Sequence, residues 1–114
     1  VLVCVADVVG HGVPAAMMAA VLKVLVLDAA ELDPDPGRVV RRVNTRFTAL
    51  GIPDRFASLL VVRWCPEQQT AWYASAGHEP GLLTVGAEPP VLFEATGTLL
   101  GVQEDGEWES LAVP

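Results

Sequence analysis

The residue types that could do chemistry gather in ADVVGHGVPAA, residues 6–16. An apolar run, VLVCVA, ends in Asp7. Gly10, His11 and Gly12 follow, and Pro14 opens a long apolar stretch. A carboxylate at a strand end is held rigidly and can aim a hard oxygen into a cleft. Magnesium and manganese take such oxygens from a few carboxylates, backbone carbonyls and water. Glycines let a backbone carbonyl approach an ion, and a nearby helix N-terminus offers N–H groups to a phosphate. Two other readings stand beside this one. Gly10 to Ala15 matches the G-x-G-x-x-A dinucleotide fingerprint, after a strand and into a helix. That fingerprint also needs a second parallel strand ending in an acid, where this chain has a loop and another helix. The third reading is purely structural: glycines for a sharp turn, His11 a hydrogen-bonded polar residue, Asp7 a helix-side cap.

The elements that must hold these residues follow from the hydrophobic pattern. Val1 to Ala6 reads as a buried strand, short, β-branched and apolar on both faces. Pro14 suits a first helical turn. The helix it opens runs to about Leu32 and is apolar on nearly every side, which predicts burial on more than one face. DPDPG, residues 33–37, is a helix-breaking loop. From Arg38 to Leu50 the pattern is amphipathic, with Val39, Val40, Val43, Phe47 and Leu50 on one side and Arg38, Arg41, Arg42 and Arg46 off that stripe. Gly51 ends this helix. RFASLLVVRW and TAWYASA, joined through CPEQQ, read as a hairpin. Its first strand is apolar on both faces, as in a sheet covered on both sides. PGLLTVG and PPVLFEA predict two more strands, GTLLGV a glycine-bounded loop, and EWESLAV a last strand. Strands following helices make this an α+β fold.

The 114 residues, 52% hydrophobic, suffice for one small domain. The formal net charge of −7 argues against non-specific nucleic-acid binding and fits a soluble cytoplasmic protein. Cys4 and Cys65 make one bridge at most and no zinc framework, and Cys4 reads as a small buried residue. Val13 to Ala30 is long enough to raise the question of a membrane. Lys23, Asp28 and six alanines make a buried core helix the expected answer. The chain begins inside an apolar run and stops after a strand-like stretch, so it reads as a segment of a longer protein.

With the whole chain in view, VADVVGHGVPAAMMAAVLKVL resembles the D-x-S-G-H-G-x-P-A-A signature of metal-dependent serine/threonine phosphatases of the PPM type. The branch is the bacterial one, of the sporulation stage II and sigma-factor-regulating phosphatases. RFASLLVVRWCPEQQTAWYASAGHEPGLL resembles that branch's R-F-x-T-L hairpin followed by A-N-A-G-H-x-P-x-L-L, and TGTLLGV its later G-x-P-L-G loop. The resemblance implies a four-layer α/β/β/α sandwich with antiparallel sheets, of which residues 1–114 are the central segment, truncated at both ends. It implies two divalent metal ions, Mn²⁺ or Mg²⁺, bridged by Asp7 with the Val8 carbonyl as a ligand. Gly10, His11 and Gly12 would shape one loop, and Gly77 and His78 a second. The implied activity is hydrolysis of phosphoserine or phosphothreonine on a regulatory protein by metal-activated water. An anti-anti-sigma factor is the usual substrate, and a sensor domain usually shares the parent chain. The same resemblance places the other metal carboxylates before Val1 and after Pro114, so the isolated residues are expected to be inactive. The alternative is a catalytically inactive phosphatase-like module that binds a partner. Val9 stands where the signature has serine, and Ser75 where it has asparagine.

The remaining acids are expected to be surface groups: Asp33, Asp35, Asp54, Glu67, Glu88, Glu104 and Asp105 in loops, Glu107 and Glu109 on the exposed face of a strand. His11 and His78 read as hydrogen-bonded structural residues, because oxygen-preferring metals leave imidazole aside. No G-x-S-x-G elbow, Walker A loop or paired-cysteine motif occurs. Four of the seven basic residues lie between Arg38 and Arg46. They read as a solvated helix face or, functionally, as a docking surface for an acidic partner.

Overall fold

The computed structural model describes residues 1–53 and 55–113; Asp54, read as a loop acid, lies outside the described residues. The elements run β1 (Leu2–Val8), α1 (Gly12–Leu32), α2 (Pro36–Ala49), β2 (Ala57–Cys65), a short 3₁₀ turn at Pro66–Gln68, β3 (Thr70–Ala76), β4 (Gly81–Leu83), β5 (Val91–Phe93) and β6 (Leu111–Val113). One antiparallel sheet has the order β1-β2-β3-β6, and β4 pairs with β5 in a separate ribbon. The α+β class follows.

β2 shows why its sequence is apolar on both faces. Ala57, Leu59 and Val61 meet Met18, Leu22, Val39, Val43 and Phe47 of the two helices. Leu60 faces the other way, into a second cluster with Tyr73, Val113 and the ribbon's Phe93. The Tyr73 and Phe93 rings lie 4.6 Å apart, tilted at 41°. Helices, sheet and ribbon are thus three layers, and a fourth is not among the described residues.

α2 begins two residues earlier than the pattern predicts. Asp35 caps it, accepting from the Arg38 N–H at 3.2 Å, and Pro36 occupies the first turn, where an N–H would have no partner. Ser110 donates to the same Asp35 carboxylate at 2.9 Å and accepts from the Gly37 N–H at 2.8 Å, which ties α2 to the segment entering β6. Gly37 must be glycine, since a Cβ there would lie 2.9 Å from the Ser110 hydroxyl and run into the Trp108 carbonyl. The predicted stripe is buried except Leu50, which falls on the cap where the helix has ended.

Four expectations are overturned in whole or in part. β1 is mostly exposed rather than buried, because it is the sheet's edge strand; Val3 and Val5 are about half exposed, at 55% and 50%. α1 is buried along one stripe, Met18, Leu22, Val26 and Ala29, rather than on several faces. It lies outermost, against α2 and β1, and leaves Val13, Met17, Val24 and Leu27 exposed. By length and composition it is apolar enough to cross a membrane. Cys4, on the edge strand, is exposed as a residue, though apolar surroundings push its thiol pKa up. EWESLAV yields only the short β6. Trp108 instead tucks inward and donates to the Thr98 carbonyl at 2.9 Å, while Glu107 and Glu109 are exposed as expected.

Candidate active site

Asp7 is the penultimate residue of β1 and sits opposite Ser58 of β2. Beyond it the chain must leave the sheet edge and turn into α1. The Val9 N–H donates to the Phe56 carbonyl at 3.0 Å, one last tie to the neighbouring segment. Gly10 and Gly12 then take positive φ, +102° and +76°, which side chains with a Cβ rarely adopt. His11 lies between them as the N-cap of α1 in extended conformation; its side chain makes no capping bond and is exposed. The helix therefore starts with its first N–H groups uncapped by a side chain.

The β3–β4 loop approaches from the far side of β2. Gly77 takes φ +61° and packs so closely on Leu99 that a Cβ would come within 2.8 Å of it. Its N–H donates to the Gly97 carbonyl at 3.1 Å. This bend brings half-buried His78 back over β2, where Nδ1 lies 2.7 Å from the Ser58 hydroxyl.

The outcome is a cleft of about 250 Å³ lined by Asp7, Val8 and Val9 of one segment, Gly77, His78 and Glu79 of the other, and Ser58 and Leu99 between them. Of the residues singled out in the sequence, the structure brings together Asp7, Val8, Gly77 and His78. It leaves Gly10, His11 and Gly12 outside that lining, in the turn that aims Asp7. Ser58 was not anticipated as a site residue. Its signal was available, since it fills the hydroxyl position of R-F-x-T-L. Glu79 fills the variable position of G-H-x-P, so no pattern marked it. The arginines of α2 lie elsewhere and share no lining residue with the cleft.

The donors suit a hard metal in kind: a carboxylate on a rigid strand and a neighbouring backbone carbonyl. They do not suffice in number. Among the described residues no group of three His, Cys, Asp or Glu could hold a metal ion. A larger groove, about 600 Å³ between β1 and α1, is lined chiefly by alanine, leucine and valine and offers few groups for chemistry.

An antiparallel sheet with two helices on one face and a strand ribbon on the other is an α+β arrangement with counterparts among solved structures. The fold matches the SiaA-PP2C domain of Pseudomonas aeruginosa with a TM-score of 0.81 at 19% identity, over 99% of this chain and 44% of that one. It matches the RsbU and RsbW domains of a Mycobacterium tuberculosis protein with a TM-score of 0.71 at 23% identity, over 96% and 32%. All of residues 1–114 match the Stage II sporulation protein E (SpoIIE) family, and the chain belongs to it. Among curated proteins it is 27% identical over 108 residues to the phosphoserine phosphatase RsbU of Bacillus subtilis (strain 168), covering 94% of this chain and 32% of that protein. The chain thus spans about a third of the curated relative's length.

Proposed function

We propose that this segment is part of a protein phosphatase domain that hydrolyses phosphoserine or phosphothreonine on a regulatory protein, with Asp7 as a metal-bridging carboxylate. The observation that carries the reading is the placing of Asp7 at a strand end, in one cleft with His78 and Glu79, in a chain that matches a phosphatase family from end to end. Divalent ions, when bound in such domains, activate water and offset charge on phosphoryl oxygens. Asp7 and the Val8 carbonyl would contribute two of their ligands. On this reading the remaining ligands would come from residues outside these 114.

The chain's own residues have definable tasks. Asp7 holds its charge at a fixed point, because β1 is pinned to β2 on both sides of it. Ser58 fixes the His78 ring through the 2.7 Å Oγ–Nδ1 hydrogen bond; where the hydroxyl donates, Nε2 is the protonated nitrogen and would be a donor for a phosphoryl oxygen. A phosphoserine substrate is supported by the similarity to the phosphoserine phosphatase RsbU, and an anti-anti-sigma factor as that substrate and a cytoplasmic setting belong to the same proposal.

A second reading, an inactive partner-binding module, draws on Val9, an apolar residue lining the cleft where the family signature has serine. One experiment separates the two. In the full-length gene product, manganese-dependent hydrolysis of an aryl phosphate is measured for wild type and Asp7→Asn. The phosphatase reading expects a loss of more than about a hundredfold with the fold retained. Absence of turnover in the wild type with full metal loading establishes the inactive module. Equal turnover in both removes Asp7 from the site.

A further inference from the structure

We infer that the groove between the C-terminal end of α1 and the outer face of α2 is a docking site for an acidic protein segment. Val39, Val40, Val43 and Phe47 commit one side of α2 to the core, so Arg38, Arg41, Arg42 and Arg46 are fixed on the other. They border a groove of about 470 Å³ that also takes in Asp33, buried Ala29 and Leu32, which is 64% exposed. Arg38 pairs with Asp33 at 2.8 Å. Among the described residues, Arg41, Arg42 and Arg46 have no carboxylate within ion-pair distance.

A solvated helix face is stabilised where acids stand three or four residues from its bases. From Pro36 to Ala49 this helix has no acid at all. Its arginines instead recur at spacings of three and four, where like charges repel and disfavour the helix. An anionic occupant relieves that repulsion. Arg38 and Arg41 also border an adjoining cleft that contains Glu107 and Glu109, so their charge is partly answered there. Arg42 and Arg46 border the basic groove alone, one helical turn apart. That separation, about 6 Å along the axis, suits two carboxylates of one peptide better than a single small anion. The exposed Leu32 asks for an apolar side chain beside them. On a chain of net charge −7 the patch steers a short acidic segment, while a long polyanion would meet repulsion on either side. The groove shares no lining residue with the Asp7 cleft, so the inference stands whether or not that cleft is catalytic.

The test is fluorescence anisotropy on the full-length gene product with a labelled peptide of alternating Glu and Leu. Its controls are the same peptide with Gln for Glu, a short single-stranded oligonucleotide, and vesicles of equal parts phosphatidylserine and phosphatidylcholine. The Glu peptide is expected to bind, less tightly as salt rises, and R42E/R46E to weaken it by about tenfold or more. R42Q/R46Q, which removes repulsion and so keeps the helix by circular dichroism, should weaken it as well, and Leu32→Ala should do so to a smaller degree. Equal binding of the Glu and Gln peptides overturns the proposal, as does full affinity in both double variants. Tighter arginine-dependent binding of the oligonucleotide or the vesicles overturns it in favour of a nucleic acid or a membrane surface.

Discussion

α1 spans 21 residues and buries four of them; α2 spans 14 and buries seven. By composition the ranking should be reversed, since α1 is the more apolar helix by far. α2 is amphipathic, lies against β2 and β3, and is tied to later segments twice: Ser110 holds its first turn, and Asn44 in its body holds the 101–104 segment. α1 touches only α2 and the edge strand β1 appreciably, and β1 is itself paired on one side. Burial is a property of what lies opposite a side chain. Amphipathic patterning records that partner, and uniform apolarity does not.

Substitutions can break or sharpen this contrast. The largest effect is expected at Phe47, 4% exposed beneath α2. Phe47→Ala should cost about 3–5 kcal/mol in urea unfolding, whereas Met17→Ala on the exposed side of α1 should stay within about 0.5 kcal/mol. Similar costs at the two sites would mean that α1 is covered in solution. Leu22, on the buried stripe of α1 and 1% exposed, should cost about 2–4 kcal/mol on truncation to Ala, showing that α1 is anchored along one line only.

Asn44 comes next. Its buried amide donates to the Gln103 carbonyl at 2.7 Å and accepts from the Gly101 N–H at 2.9 Å, both in the partly exposed 101–104 segment. Asn44→Ala leaves those groups unpaired and should cost about 2–3 kcal/mol. Amide exchange at Gly101 should speed up with it, and unchanged exchange there would show that water replaces the side chain.

The smallest effects belong to the exposed end of α1 and to β1. The Arg38 guanidinium, and then the Asp35 N–H, hold the Asp33 carboxyl below its usual pKa. A depressed folded-state pKa stabilises above the unfolded value and loses that contribution as pH falls through the folded one. Asp33→Asn should therefore differ slightly from wild type at neutral pH, with the gap closing in acid. A gap that persists in acid would show that the asparagine disturbs the loop rather than the charge. In β1, the raised Cys4 thiol pKa predicts slower alkylation near neutral pH than in denaturant. Equal rates would mean that the groove beside α1 is wet.

The sequence by itself determined the local elements and much of their order. β3 falls on TAWYASA as read, Gly51 takes φ +65° where it was expected to stop α2, and the two-faced apolarity of β2 called correctly for cover on both sides. These are decided by short-range physics: alternation, capping and the few residues that tolerate positive φ. Asp7 and the G-H loop were legible as types with a plausible chemistry, and the resemblance set them in one family. Tertiary structure alone decided that Ser58 meets His78 across twenty residues of chain, that Glu79 shares their cleft, and that His11 does not. It also decided that the most apolar helix lies outermost. A single sequence encodes how strongly a residue avoids water, but whether a partner stands in reach depends on sheet order and strand position, which only the assembled fold supplies.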